Sequence, residues 1–141
     1  MSQHKGYEFF EHTADTGLRV EGQTLEELLV RAAKGLTELL VEDSAVAARE
    51  TRAIMLRAES AEALLLAWLK ELLYWFNTDR FVLASVDLQL VGETQLQGSV
   101  AGERFDPAKH AAGTEVKGVT YHQLHVEHTP QGWEAQVIFD V

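Results

Sequence analysis

The 141-residue sequence contains no cysteine, and its charge is strongly one-sided. Without cysteine there is no disulfide framework, no thiolate zinc site and no cysteine nucleophile. The chain has 12 basic and 22 acidic residues, which gives a formal net charge of -10. Such a chain does not bind bare nucleic acid by neutralising phosphates, so we expect no DNA partner. It can still act on RNA through a basic protein partner, or bind cations through its carboxylates.

Long apolar runs are also missing. None approaches the ~20 residues of a membrane span, and the first residues lack the pattern of a secretion signal. We therefore expect a cytoplasmic protein with no membrane partner. The sequence also has no Gly-x-Ser-x-Gly nucleophile elbow, no phosphate-binding P-loop and no dinucleotide fingerprint. Nucleophilic catalysis by this chain is accordingly poorly supported.

The hydrophobic residues, 46% of the chain, follow two distinct periods. Helical spacing predicts helices over residues 25–40 and 61–77, preceded by the N-cap residues Thr24 and Ser60. Alternation with a period of two predicts strands at residues 7–11, 18–22, 51–58, 81–91, 95–101, 119–126 and 134–141.

The order of these elements predicts the fold class. Strand, helix, strand, helix and then a run of strands is typical of an α+β protein. Pro130-Gln131-Gly132 marks a hairpin turn, so the last two strands should be antiparallel neighbours. We predict one domain over residues 1–141, with a mostly antiparallel sheet packed with two amphipathic helices.

Residues 102–126 combine a polar loop with a strand. Glycine and proline argue against regular structure over residues 106–115, and a structureless loop of more than ~10 residues is rare in a compact domain unless it is functional or mobile. Strict alternation from residue 119 onward places Val119 and Val126 on opposite faces. The same alternation places His122 and His125 on opposite faces of the strand. We therefore expect that His122, His125 and His128 do not share a zinc ion.

Carboxylates near the two ends of the sequence are the other candidates. Asp15 closes the turn His12-Thr13-Ala14-Asp15, where the simplest role is a bond to local backbone N–H groups. Asp140 follows a buried-strand run, and the carboxylate of Val141 lies beside it. Two such negative groups repel unless a cation or donor offsets them. Oxygen ligands suit Ca²⁺, Mg²⁺ or Mn²⁺; the alternative is a solvated chain end.

Taken together, these pieces resemble the archease family. The resemblance rests on five blocks in the family's order, which span nearly the whole chain. They are His12-Thr13-Ala14-Asp15, Trp68-Leu69-x-Glu71-Leu72-Leu73-Tyr74, Gly102-Glu103-x-Phe105-Asp106 with Lys109-His110, Gly113-Thr114-Glu115-Val116-Lys117-x-Val119-Thr120-Tyr121-His122, and Ile138-Phe139-Asp140. The departures are small: Lys70 replaces the expected Asn, Gly118 a common Ala, and Val141 the usual Ile.

The resemblance implies a role as activator of a GTP-dependent RNA-splicing ligase. In that family the protein promotes guanylylation of the ligase's active-site histidine and repeated turnover, and it meets tRNA or other RNA only through the ligase. The family's divalent-metal site carries over onto Asp15, Asp140 and Val141. His12, Glu115 and Lys117 become candidate contacts with the ligase or nucleotide.

Two other classes of function stay open. One is a chaperone-like interaction module without metal chemistry. The other is a metal-dependent nucleotide phosphohydrolase that uses the same carboxylates without a ligase. The absence of an obvious nucleophile makes the interaction module the stronger of the two.

Overall fold

The structure, a computed structural model, describes residues 5–12, 15–42 and 45–141, with only the backbone at His12. Within these ranges the chain forms two helices and nine strands. In chain order they are β1 (Tyr7–His12), β2 (Asp15–Gly22), α1 (Leu25–Leu40), β3 (Val41–Glu42), β4 (Glu50–Arg57), α2 (Ala61–Asp79), β5 (Phe81–Val91), β6 (Gln95–Arg104), β7 (Ala111–Ala112), β8 (Gly118–Thr129) and β9 (Gly132–Asp140).

The strands form three antiparallel sheets. The largest has the order β1-β2-β9-β8, a second has the order β4-β6-β5, and β3 pairs with β7. The predicted α+β class, with two helices packed on antiparallel strands, is confirmed. The predicted hairpin between the last two strands is confirmed as well, because β8 and β9 are joined by the turn at Pro130 and Gln131.

Both helices begin at the predicted cap residues. The Thr24 hydroxyl accepts a hydrogen bond from the Glu27 N–H at 3.1 Å, and the Ser60 hydroxyl accepts one from the Ala63 N–H at 3.1 Å. Each bond satisfies one of the amides that a helix N-terminus leaves without a partner. Helix α2 ends at Asp79, and its C-cap residue Arg80 adopts the left-handed conformation with φ 62°.

One hydrophobic core connects the helices to the two larger sheets. Helix α1 packs on β2 and β5, and α2 packs on β8 and β5. Trp68 lies at the centre of this core and is fully buried. Its indole N–H donates to the Leu29 carbonyl at 2.8 Å, so the largest core side chain also satisfies its one polar atom. This bond joins the two helices directly.

The four-stranded sheet has an inner face toward the helices and an outer face away from them. Leu18, Val137 and Phe139 point inward and are fully buried. On the outer face the Phe10 ring lies against Gly17, where any Cβ would collide with it. Because Gly17 has no side chain, the Phe10 ring can cover the outer face near the N-terminal end of β2.

The structure corrects the strict alternation predicted for β8. Val119 and Val126 are both buried, rather than on opposite faces. The register against β9 shifts between Thr120 and His125, and Gln123 within this interval has φ 54°. Between the register pairs of Thr120 and His125, β8 advances five residues and β9 only two, so this bulge in β8 contains three extra residues, and the odd number returns Val126 to the face of Val119.

Two predictions in the 102–115 segment are also wrong in detail. Strand β6 continues through Arg104, so Glu103 belongs to a strand rather than to a loop. Ala111–Ala112, within the stretch expected to be irregular, forms β7 and pairs with β3. A two-residue strand is too short to show a hydrophobic period. Its pairing also depends on a partner about 70 residues earlier in the chain, which a local pattern does not reveal.

Candidate functional site

The end of the outer face brings the predicted carboxylates together. Strand β2 pairs with β9 so that Asp15 lies directly opposite Asp140. Directly paired residues of an antiparallel sheet have Cα atoms ~4.5–5.5 Å apart, and their side chains point to the same face. Asp140 is exposed and Asp15 is partly buried. We call this end of the sheet the carboxylate tip.

The buried residues of β2 and β9 fix this register. Leu18 pairs with Val137 on the inner face, and both are completely removed from solvent. A slip by one residue would turn these side chains outward and move the whole hydrophobic set of the strand to solvent. The core therefore determines that Asp15 and Asp140 face each other, which the separate ends of the sequence could not show.

Strand β8 and the segment before it complete the carboxylate tip. The Lys117 N–H donates to the Asp140 carbonyl at 2.7 Å, and Gly118 is the register partner of Asp140. Among the described residues other than Gly118 and its two chain neighbours, no atom lies within 4 Å of the position that a Gly118 Cβ would take, so there is open space beside Asp140. Glu115 and Lys117 are exposed on this approach.

His12 is the remaining predicted contact residue. Its backbone pairs with Asp15 across β1 and β2. Its side chain, together with Thr13 and Ala14 of the turn, lies outside the described residues. The backbone pairing places position 12 beside the carboxylate tip, and its contact role stays a prediction.

The chemistry of the carboxylate tip fits a hard divalent cation. Two carboxylates from neighbouring strands share one face, and Val141, half-buried, follows Asp140 directly. An oxygen-only donor set of this kind suits Ca²⁺, Mg²⁺ or Mn²⁺ better than softer ions. The geometry agrees with the predicted ligands Asp15, Asp140 and Val141, and metal binding by them stays a prediction.

The charged residues of the 102–110 segment form a second cluster, which braces the fold. The buried Glu103 carboxylate accepts from the Ala47 N–H at 2.6 Å and from the Lys109 ammonium at 2.7 Å. His110, also buried, lies 3.1 Å from the same carboxylate through Nε2. These bonds lower the pKa of Glu103 to about 2, the Ala47 amide contributing most.

His110 is held by both ring nitrogens. Its Nδ1 accepts a hydrogen bond from the Asp106 N–H at 2.9 Å, so Nε2 carries the proton that faces Glu103. The Asp106 carboxylate in turn accepts from the Ala108 N–H at 2.9 Å. These contacts tie the turn to the 45–49 segment. His110 is thus a structural residue, whereas Lys109 and Asp106 keep exposed side chains.

The structure brings together a third group of polar side chains that the sequence analysis does not predict as a group. His125 lies beside Glu127 and Glu134 on the outer face. His125 and Glu127 are two residues apart in β8, and Glu127 pairs with Glu134 across the hairpin. The alternation of the two strands and the predicted turn between them would have been enough to predict that these three residues share a face.

The fold and the carboxylate tip define a small α+β protein with paired acidic residues where three antiparallel strands end. The family model of the Archease protein family matches residues 7–141. The chain belongs to the archease family.

Relatives and solved structures agree with this assignment. The chain is similar to Protein archease of Methanosarcina mazei, with 37% identity over 144 residues, covering 99% of each chain. It is 36% identical to Protein archease of Pyrococcus furiosus, over 96% of this chain and 98% of the relative.

Two solved structures share the fold. Methanobacterium thermoautotrophicum protein 1598 has a TM-score of 0.81 at 32% identity, covering 98% of this chain and 100% of that one. An archease from Thermotoga maritima, described as a possible chaperone, has a TM-score of 0.68 at 25% identity, covering 94% of each chain. In the part of our chain that the structure describes, no helix is both long and apolar enough to span a membrane.

Proposed function

We propose that this chain is a protein cofactor of a GTP-dependent RNA-splicing ligase, and that it is not itself an enzyme. The register of Asp15 against Asp140 is the observation that carries the proposal. It places two aspartates directly opposite each other at the end of the sheet, where Asp140 is exposed. Family membership supports the same role, because the blocks that resemble archease include both residues.

In this proposal Asp15, Asp140 and the carboxylate of Val141 hold a divalent cation. When bound, the cation supplies positive charge that offsets negative charge on nucleotide phosphates. The protein residues fix its position, and the β2–β9 register keeps the two side chains in place without a mobile loop. Glu115 and Lys117, exposed beside the carboxylate tip, are suited to contact the ligase or its GTP.

The protein acts on RNA indirectly. The net charge of -10 opposes direct contact with tRNA or other RNA. The same charge favours encounter with a basic RNA ligase. Docking of the carboxylate tip at the ligase active site would promote guanylylation of the ligase histidine and allow repeated turnover.

A multiple-turnover RNA ligation assay tests this proposal. Limiting ligase is supplied with GTP and Mn²⁺, with and without the chain. We expect the native chain to give repeated rounds, Asp15→Ala and Asp140→Asn to abolish the stimulation, and Asp87→Asn, at an exposed position on β5, to retain it. Circular dichroism confirms that each variant is folded. Full stimulation by both tip variants would overturn the metal-site proposal.

A chaperone-like module is the second candidate, favoured by the description of the Thermotoga maritima archease. Suppression of aggregation of unrelated proteins, unchanged in Asp140→Ala, would support it. Hydrolysis of GTP by the purified chain without ligase would instead favour a metal-dependent phosphohydrolase. The two assays separate these functions from ligase activation.

A further inference from the structure

A compact group of one imidazole and two carboxylates lies on the outer face of the four-stranded sheet. The Nε2 atom of His125 lies 3.2 Å from a carboxylate oxygen of Glu127. One ligand atom from each of His125, Glu127 and Glu134 lies within 4.8 Å of the others. The three side chains are exposed and come from two paired strands, so the hairpin backbone fixes their starting points.

The strand register concentrates negative charge at this place. Glu21 of β2 pairs with Glu134 of β9, which pairs with Glu127 of β8. Three glutamates therefore form one row across adjacent strands. Like charges directly opposite each other destabilise a sheet, and a bound cation would offset the negative charge of this row.

We propose that His125, Glu127 and Glu134 form a binding site for a first-row transition metal ion such as Zn²⁺. An imidazole nitrogen with two carboxylate oxygens is a donor set that Zn²⁺ accepts, whereas Ca²⁺ prefers oxygen alone. Ligand atoms held at ~2.1 Å from an ion lie ~3–4 Å from one another. Exposed side chains reach this separation from the observed one by small rotations.

The surroundings leave room for further ligands. His125 and Glu134 line an open cavity of about 770 Å³, whose lining also includes Gln136 and Arg19. Three protein ligands and an open side are the arrangement in which water or an anion completes the coordination of zinc. The site therefore has an accessible face rather than a closed, purely structural shell.

This site is separate from the carboxylate tip. Glu134 and Asp140 both belong to β9 and are six residues apart. Six residues of extended strand span ~20 Å, so a single ion cannot bridge the two places. The inference is independent of ligase activation, because it concerns different residues, a different class of ion and a measurement made without ligase.

Titration of the full chain with Zn²⁺ by isothermal calorimetry tests the proposal. We expect His125→Asn and Glu134→Gln each to raise the Kd for Zn²⁺ at least ~10-fold. The control His128→Asn removes another exposed imidazole of β8, which stacks on Trp133, and should leave the Kd unchanged. Asp140→Asn, at the carboxylate tip, should also leave it unchanged.

The visible spectrum of bound Co²⁺ provides a second measurement. Four- or five-coordinate Co²⁺ at this site should give a d–d absorption band much stronger than that of aqueous Co²⁺ with native protein, His128→Asn and Asp140→Asn, and only the weak aqueous band with His125→Asn. An excess of Ca²⁺ should not displace the Co²⁺. The proposal is overturned if His125→Asn binds Zn²⁺ like the native protein, or if Asp140→Asn removes the Zn²⁺ binding instead. All four substitutions are at exposed positions, and circular dichroism checks the fold.

Discussion

At the scale of single residues, Glu103 shows how a charge becomes part of a core. Its carboxylate is buried, yet it receives donors from the Ala47 amide, Lys109 and His110. Arg49 adds a further ion pair at 3.2 Å. A carboxylate with this many donors is stabilised in its charged form, so burial does not neutralise it.

The lowered pKa of Glu103 predicts a pH-dependent contribution to stability. The folded-state pKa, about 2, lies below the value of ~4.3 that an unfolded glutamate has. The stabilisation is therefore fully present above ~4.3 and is lost as the pH falls toward about 2. We expect Glu103→Gln to lower the urea midpoint at pH 7, with a difference from the native protein that shrinks over this pH range.

Urea unfolding followed by circular dichroism at a series of pH values measures this difference. The control Glu93→Gln removes an exposed carboxylate in the β5–β6 turn and should leave the midpoint unchanged at every pH. A Glu103→Gln defect that is equally large at pH 7 and at low pH would contradict the charge-based explanation and point to packing alone.

The sequence could not reveal the role of Glu103, because its Ala47 partner is 56 residues away along the chain. The 102–110 segment has the composition of a solvated loop, with Glu103, Lys109 and His110 among its polar residues. Only the pairing of β4 with β6 brings the 45–49 segment next to Glu103. Composition predicts exposure, whereas tertiary hydrogen bonds decide which charges are buried.

At the scale of elements, signals between neighbouring residues located the helices and the last hairpin, whereas the exact register between strands had no signal in the sequence. Helix α1 matches its predicted range of 25–40, because a cap residue and helical spacing are properties of neighbouring residues. The bulge in β8 has no such signature. It depends on how β8 must shift against β9 to bury Val119 and Val126 together.

The bulge predicts an unusual response to substitution at Gln123. Its φ of 54° lies in the left-handed region, which glycine adopts freely and β-branched residues avoid. We expect Gln123→Val to destabilise the protein by about 1 kcal/mol or more relative to Gln123→Gly. This order is the reverse of ordinary strand preference, in which valine is better than glycine.

The matched control is Gln89, an exposed residue of β5 without a positive φ. There the valine variant should be at least as stable as the glycine variant. Free energies of unfolding from urea titrations compare the two pairs. If the valine variant is at least as stable as the glycine variant at both positions, the backbone at Gln123 imposes no special requirement.

At the scale of the whole molecule, burial of the hydrophobic face fixes the sheet register, and this register places Asp15 opposite Asp140. The sequence alone predicted Asp140 beside Val141 and a turn ending at Asp15, but the adjacency of these residues depends on β2 pairing with β9. That pairing joins residues more than 100 positions apart. The ligand types were therefore predictable from the sequence, and their common face was not.

The net charge is the other property of the whole molecule with functional consequences. A charge of -10 on 141 residues creates a field that extends beyond any single ion pair. If the partner is a basic ligase, this field speeds encounter and affects dissociation much less. The Debye length falls from ~30 Å at 0.01 M salt to ~3 Å at 1 M, so salt removes the long-range part first.

We therefore expect the association rate constant with the ligase to fall at least ~10-fold between low and high NaCl at constant Mn²⁺, with little change in the dissociation rate constant. Stopped-flow or surface-based binding kinetics measure both. Asp140→Asn serves as the comparison, because it removes one charge of ten while altering the proposed contact itself. It should change the dissociation rate more than the salt dependence of association. An association rate that does not vary with salt would show that the acidic surface has no role in finding the ligase, and would leave the carboxylate tip as the sole basis of recognition.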